Sequence, residues 1–150
     1  IESIRDITDQ KMVEEDLKEK RIELVLEIPP GGLNIEANQQ ELSGMLFNLV
    51  LNAMDALEAL PAQDRRELRI IATALKKDLR LAVVDTGEGM DDFTRAHVFT
   101  PFFSKKKKGT GLGMAMVKRI VDEYQGTITI DSSPGAGTRI EIMIEGVVRH

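Results

Sequence analysis

Four polar side chains that could hold a metal ion and its phosphate partner share one stripe of a helix predicted over residues 39–60. They lie at steps of seven, four and three: Glu41, Asn48, Asn52 and Asp55. The rest of this helix is apolar almost all round, which is typical of a buried helix. A buried amide costs free energy unless it is paired. Asparagine oxygens suit Mg²⁺ that also takes phosphate oxygens. On this helix alone, capping of neighbouring backbone or contact with water explains the stripe equally well.

A second candidate is an acid at the end of a predicted strand. The segment VVDTGEGM carries Asp85, followed by Gly87 and Gly89. Such an acid is often only a turn residue. If it is partly buried, it is an acceptor that an adenine amino group could satisfy. A charged hydrogen bond of that kind contributes about 1.5–3 kcal/mol.

A loop of lysines and glycines comes third, in FFSKKKKGTGLGMAM over residues 102–116. Gly109, Gly111 and Gly113 precede a predicted helix, and free N–H groups at a helix N-terminus favour anions. The spacing matches neither the Walker loop nor the dinucleotide fingerprint. Lysines at 105–108 add positive charge, although a solvated run is the ordinary alternative. We expect one or two of them to reach phosphate, with Lys105 first.

Composition narrows the function classes. The chain has 150 residues, 42% hydrophobic and 30% charged, a net charge of −5 and no cysteine. This suits one globular domain and argues against nucleic acid as a partner. Disulfides and thiolate sites are excluded. No apolar run approaches the roughly 18 residues of a membrane span, so we expect no direct membrane contact and a cytoplasmic location. The chain begins at Ile1, and we expect it to be part of a longer protein.

The predicted elements alternate between helices and hairpins. They are one or two short helical pieces in residues 1–20, a strand in 21–29, the helix of 39–60, a hairpin in 67–85 turning near 77–78, short helix 91–98, helix 112–124 and a hairpin in 126–146. This order predicts an α/β, or α+β, sandwich. Its sheet is mixed and mostly antiparallel, with helices covering one face, rather than an all-parallel doubly wound sheet.

Five motifs in this order resemble those of the catalytic, ATP-binding domain of histidine kinases. They are NLVLNAMDAL for the N box, VVDTGEGM for the first glycine box, FTPFF for the F box, GTGLGMAMV for the second glycine box and SSPGAGTRIEIMI for the closing strand. The likeness covers residues 21–146. It implies the fold shared with the ATPase domains of DNA gyrase, heat-shock chaperones and mismatch-repair proteins, with an ATP pocket under a short lid. NAMDAL is similar to nitrogen-regulation sensor kinases.

The resemblance implies a role for each matching position at the nucleoside end of an ATP site. Asp85 binds the adenine amino group, and Thr138 helps through water. Gly87, Gly89 and Met90 shape the pocket around the base.

At the phosphate end, the resemblance implies that Asn52 coordinates Mg²⁺ and that Asn48 lies beside the phosphates. Asn48, Asn52 and Lys105 are the implied catalytic residues. The phosphate-wrapping positions are Lys105, Gly109, Thr110, Gly111, Leu112 and Gly113. Residues 100–110 form the lid, which Phe99, Phe102 and Phe103 anchor. Asp55 stands where many members carry a basic residue, so we count it among the nucleotide-side positions and expect the phosphate contact from elsewhere.

The implied function is the kinase domain of a two-component sensor. It transfers the γ-phosphoryl of Mg-ATP to a histidine on a separate dimerisation hairpin, and a response-regulator receiver domain acts downstream. We assign residues 1–20 to the tail of the dimerisation region and 21–150 to the catalytic domain. His97 and His150 are poor candidates for the phosphoacceptor. The alternatives are an ATP-hydrolysing clamp of the same superfamily, an anti-sigma-type serine kinase and a degenerate nucleotide-sensing scaffold.

Overall fold

The computed structural model describes residues 11–103 and 111–149. Four helices and seven strands follow in chain order: α1 Lys11–Glu19, β1 Glu23–Glu27, β2 Asn34–Ile35, α2 Gln39–Glu58, β3 Glu67–Leu75, β4 Asp78–Asp85, α3 Asp92–His97, α4 Gly113–Glu123, β5 Thr127–Ser132, β6 Thr138–Ile144 and β7 Val148–Arg149.

The main sheet has five strands in the order β1-β3-β4-β6-β5. Strand β1 pairs with β3 in parallel, and the other three pairs are antiparallel. The register sets Leu68 opposite Asp85, and Asp85 opposite Thr138. Asp85 therefore ends β4 in the middle of the sheet, flanked by a strand on each side.

One face of the sheet packs against α2 and α4 and forms the core. Alternate residues of β6 are buried, as a strand with one covered face requires. Helix α2 buries Met45, Leu46, Leu49, Val50, Ala53, Met54 and Leu57. These positions recur at helical spacing, so they form the apolar stripe that meets the sheet.

The opposite face of the sheet carries charges of both signs. Arg69 pairs with Glu27 and with Glu67, and Arg80 lies 3.1 Å from Glu141. Half-exposed pairs such as these contribute little stability. They mark the face that the helices do not cover. The prediction of a mixed, mostly antiparallel sheet with helices on one face is confirmed.

The residues that flank helix α2 set where it begins and ends. The Asn38 side chain accepts a hydrogen bond from the Glu41 N–H at 3.0 Å, which caps the helix. The Asn38 N–H donates to the Tyr124 hydroxyl at 2.9 Å, which ties this end to the end of α4. The helix ends at Glu58, three residues before Pro61. Gly44 does not interrupt it.

The segment before β1 is attached to the end of α2. Leu17 and Ile22 are buried in the core. Arg66 donates to the carbonyls of Lys20 at 2.7 Å and Leu60 at 2.9 Å, so its guanidinium joins two loops.

Within residues 11–103 and 111–149, none of the helices combines the length and apolar character that a bilayer crossing requires.

Candidate functional site

A cleft of about 410 Å³ opens between α2, the loop after β4 and the start of α4. This volume falls within the range of small-molecule sites. Eight of the predicted site residues line it: Asn48, Asn52, Asp55, Gly89, Met90, Gly111, Gly113 and Thr138. The sequence motifs, which span ninety positions of the chain, therefore converge on one cavity. We call the side of the cleft formed by Asn48, Asn52, Gly111 and Gly113 the helix end. The sheet end comprises Gly89, Met90 and Thr138, which line the cleft, together with the adjoining Asp85 and Gly87, which do not line it.

At the helix end, the amide of Asn48 is oriented by α2 itself. Its Nδ2 donates to the Gly44 carbonyl at 3.0 Å, which turns Oδ1 toward the start of α4. A Cβ added at Gly113 would lie 2.9 Å from that oxygen. Glycine therefore allows the first turn of α4 to approach the asparagine. No described side chain caps α4, so its first N–H groups suit an anion.

The same end offers oxygen ligands but no complete metal cage. Asn52 lines the cleft one turn after Asn48, and Asp55 follows on the same stripe. In the part of the chain that the structure describes, no three His, Cys, Asp or Glu residues are grouped to hold a metal ion. Amide oxygens near an anion-binding helix end fit Mg²⁺ that arrives with phosphates and keeps several waters.

At the sheet end, Asp85 is a buried carboxylate. Its side chain is 5% exposed, and its Oδ1 accepts from the Gly87 N–H at 2.8 Å. Burial raises the pKa of Asp85 to about 6, against the opposing effect of the Gly87 and Thr138 N–H groups. Such a group is an acceptor held ready for an N–H donor. Asp85 does not line the cleft itself, and it stands opposite Thr138, which does.

Ser132 holds the sheet end together, and sequence reasoning missed it. The Met90 N–H donates to Ser132 Oγ at 2.9 Å, and this hydroxyl donates to the Gly137 carbonyl at 2.9 Å. Its contact with Thr138 Oγ1, also 2.9 Å, links the closing strand to the same atom. A lone serine at the end of a strand carries no sequence signal for this role, because its partners come from two separate segments, the loop after β4 and the start of β6.

Gly87 and Gly89, in the loop after β4, lie so close to neighbouring atoms that neither position has room for a Cβ. A Cβ at Gly87 would lie 2.8 Å from the Ala56 Cβ, so this loop packs directly on α2. Gly89 has φ +74°, and a Cβ there would lie 2.0 Å from the Ser133 carbonyl oxygen. The predicted shaping role of these residues thus has a steric basis.

The remaining predicted positions are the lid anchors and the other phosphate-side residues. Among them, Phe103 also lines the cleft. Phe99 packs on the core, and Phe102 is 77% exposed with φ +66°. Leu112 is 43% exposed, just before α4. Within the described residues these three are not part of the cleft wall, and their contact with a ligand stays a prediction. Lys105, Gly109 and Thr110 lie outside the described residues.

Phe102 and Gly111 bring the two flanks of segment 104–110 together. The Phe102 N–H donates to the Gly111 carbonyl at 3.0 Å. Gly111 has φ +73°, and a Cβ there would lie 2.4 Å from the Phe102 carbonyl carbon. The predicted lid therefore leaves and re-enters the fold at a single point beside the helix end.

Several apolar residues of the cleft were not predicted. They are Leu51, Ala56, Val98 and Met114. Met90, Thr94 and Val98 stand at steps of four and share one wall. This spacing is the signal that could have identified Thr94 and Val98.

His97 takes part in an aromatic cluster with Phe93 and Phe103, and it does not itself line the described cleft. Its ring stacks on Phe93 with centroids 4.3 Å apart, and Nδ1 lies 2.7 Å from the Phe93 carbonyl oxygen. Phe103 lies 5.7 Å from the same ring. These contacts give His97 a packing role, in keeping with its low rank as a phosphoacceptor.

Comparison with known proteins agrees with this geometry. Residues 37–146 match the family model of the histidine kinase-, DNA gyrase B-, and HSP90-like ATPase. Sensor histidine kinase ZraS of Klebsiella oxytoca is 35% identical over 131 residues, covering 85% of this chain and 27% of ZraS. Nitrogen regulation protein NtrY of Azorhizobium caulinodans is 32% identical over 125 residues, 80% of this chain and 16% of NtrY. The chain thus spans about a quarter or less of these relatives.

Solved structures share the fold. The catalytic domain of histidine kinase ThkA superposes with a TM-score of 0.80 at 26% identity, covering 95% of this chain and 90% of that one. Full-length ShkA in complex with AMPPNP gives a TM-score of 0.79 at 25% identity, covering 97% of this chain and 29% of ShkA. The chain belongs to the histidine kinase-, gyrase B- and HSP90-like ATPase family, as the ATP-binding domain of the histidine-kinase type.

Proposed function

We propose that this domain binds Mg-ATP and transfers its γ-phosphoryl group to a histidine on a separate dimerisation hairpin. The observation that carries the proposal is that the sheet end and the helix end, which differ in their chemistry, meet at one cleft. A buried carboxylate at the sheet end accepts the adenine amino group. An amide oxygen and the first turn of a helix at the other end receive the phosphates.

The residues act mainly by positioning. The Asp85 carboxylate fixes the base, and the N–H groups at the start of α4 hold phosphate oxygens. Asn52 would hold Mg²⁺, which neutralises charge on the phosphates when bound, and Asn48 would lie beside those phosphates. In the transfer, an imidazole nitrogen of the hairpin forms a bond to the γ-phosphorus. The bond from that phosphorus to the bridging oxygen breaks, and ADP leaves.

We assign the remaining partners by the same reasoning. Residues 1–20 are the end of the dimerisation region, residues 21–150 the catalytic unit, and a response-regulator receiver domain takes the phosphoryl group from the hairpin. ShkA, a histidine kinase whose structure holds AMPPNP, supports a triphosphate ligand for this fold. The cytoplasmic location remains a prediction, as does the contact of Lys105 with phosphate.

A hydrolytic clamp is the second candidate, and one position argues against it. Such enzymes place a water-activating glutamate one turn before the metal-binding asparagine. Here that position is Asn48, whose amide is a poor base. Glu41, nearly two turns earlier, interacts instead with Glu123 at the far end of α4, and this contact raises the pKa of Glu41. The cleft therefore favours transfer over hydrolysis.

Incubation with γ-labelled ATP and a purified histidine-bearing hairpin tests the proposal. We expect label on the hairpin histidine and little free phosphate without the hairpin. Phosphate release that does not depend on the hairpin would instead support the clamp.

Asn52→Asp provides the site-specific arm of this experiment. The variant keeps the shape of the side chain, so we expect an unchanged fold by circular dichroism and a large loss of Mg-dependent label transfer. Asn34→Asp, on strand β2 with an exposed side chain, is the matched control. Full transfer by Asn52→Asp would remove Asn52 from the mechanism.

A further inference from the structure

We infer that Thr94 is an additional nucleotide-binding residue, whose hydroxyl hydrogen-bonds the nucleoside part of ATP. This inference rests on the proposed function, because it deepens the same site. Thr94 belongs to none of the motifs described above. It lies in α3, a helix for which the sequence predicted no contact with the ligand.

The Thr94 side chain is buried and faces the cleft. Thr94 is 7% exposed and forms part of the cleft wall. Its backbone N–H donates to Asp91 Oδ1 at 2.7 Å, which caps α3 and fixes the orientation of the residue. Met90 and Val98, four residues before it and four residues after it, also line the cleft.

The hydroxyl has no hydrogen-bond partner among the residues that the structure describes. A threonine in a helix commonly donates to the carbonyl three or four residues earlier. The Asp91 carbonyl here accepts instead from the Arg95 N–H at 2.9 Å. An unpaired buried hydroxyl costs free energy, and valine would fill the same space without that cost. A polar atom of a bound ligand is the partner that accounts for the hydroxyl.

The position of α3 indicates which part of the ligand is near. Met90 N–H and Arg95 Nη1 both donate to Ser132, at 2.9 Å each, so Thr94 lies between two attachments to one residue. Ser132 also contacts Thr138, the neighbour of Asp85 in the sheet. Thr94 therefore belongs to the sheet end, where the base and its sugar would lie, rather than to the helix end.

Titration calorimetry of ATP with the whole chain tests this inference. Thr94→Val removes the hydroxyl but keeps the shape, and we expect about a fivefold to tenfold loss of affinity. Thr94→Ser keeps the hydroxyl and should bind within about twofold of the parent. The melting temperature without ATP should be unchanged or higher for Thr94→Val. Thr129→Val, at an exposed threonine on β5, is the matched control.

Two further arms separate the possible outcomes. Asp85→Asn in the same assay tests the proposed site. If Asp85→Asn loses affinity for ATP while Thr94→Val binds normally, the Thr94 inference alone is overturned. Unchanged binding by Asp85→Asn would refute the adenine site itself. A loss in both Thr94 variants with lower melting temperatures would make Thr94 structural and overturn the inference. The same comparison is made with 2′-deoxy-ATP and 3′-deoxy-ATP. If Thr94→Val loses less affinity for one of these analogues than for ATP, the hydroxyl binds the ribose, and if the loss is equal, it binds the base.

Discussion

The sheet end of the cleft is held by a closed set of hydrogen bonds, whereas the helix end offers an amide oxygen and the first turn of a helix. At the sheet end, Ser132 joins Met90, Gly137 and Thr138, and Gly87 meets Asp85. At the helix end, the bond from Asn48 to Gly44 turns the Asn48 oxygen toward the start of α4. Under the proposed function, selectivity for the base is thus built into the fold, while the phosphate site is completed by the ligand and its metal.

The largest effect should come from disturbing the sheet end sterically. In Gly89→Ala the new methyl group meets the Ser133 carbonyl in a backbone with φ +74°. We expect a loss of about 2–4 kcal/mol in the free energy of unfolding, measured by urea denaturation. Gly135→Ala is the matched control, because Gly135 has φ +78° and nothing within 4 Å of its added Cβ. It should cost about 1 kcal/mol. Equal losses would show that contact with Ser133 is unimportant.

Removing the charge of Asp85 should weaken ATP binding without harming the fold. Asp85→Asn keeps the shape of the side chain, and we expect about tenfold or greater loss of affinity by calorimetry. Stability without ligand should be equal or higher, because a buried charge is removed. Asp131→Asn, at an exposed acid on β5, is the control and should bind normally. An unchanged affinity for Asp85→Asn would contradict the adenine role.

Lower pH should weaken ATP binding through the same residue. The adenine amino group needs the charged carboxylate, and the pKa of Asp85 is raised to about 6 in the folded chain. We expect affinity to fall about tenfold between pH 7.5 and 5. Asp85→Asn should remove this part of the pH dependence and leave that of ATP itself. A parallel pH profile in both proteins would exclude Asp85 as its source.

Stability without ligand should change with pH in the opposite sense. The pKa of an unfolded aspartate is about 3.9, so the folded chain holds the extra proton between roughly pH 4 and 6. The free energy of unfolding therefore falls as pH rises through this window, by an amount on the order of 3 kcal/mol. Urea denaturation across this range, with Asp85→Asn as reference, measures the difference.

The smallest effect should come from the lysine run at residues 105–108. Replacing the lysines at 106–108 with serine should change ATP affinity by about threefold or less, because a lysine run is usually solvated. Calorimetry at two salt concentrations would check this expectation. A loss of more than about tenfold would mean that more of the run binds phosphate than the sequence predicts.

Much of the fold follows from the sequence because its periodic segments are long. Helix α2 and the β5–β6 hairpin were predicted within a few residues. Strands β2 and β7 were missed, since two residues each cannot show alternation and they pair across more than a hundred positions. The predicted turn near 77–78 lies instead at residues 76–77, where Lys76 has φ +58°.

The site residues also fall into those that the sequence could identify and those that it could not. Asn48, Asp85 and Gly89 stand in recognisable motifs, so the sequence could identify them. Ser132 and Thr94 could not be found in this way, because each acts through neighbours that only folding brings close. Periodicity describes one element at a time, whereas these two residues connect elements.

The contact between Phe102 and Gly111 has a consequence for where this chain can change in length. Because the two residues are hydrogen-bonded, the described chain on either side of segment 104–110 is held together at one point. Lengthening a loop whose ends are held together costs only about 0.6 kcal/mol for each doubling of its length. Insertions between the two residues should therefore cost the fold little free energy, so this is a place where the chain tolerates changes in length.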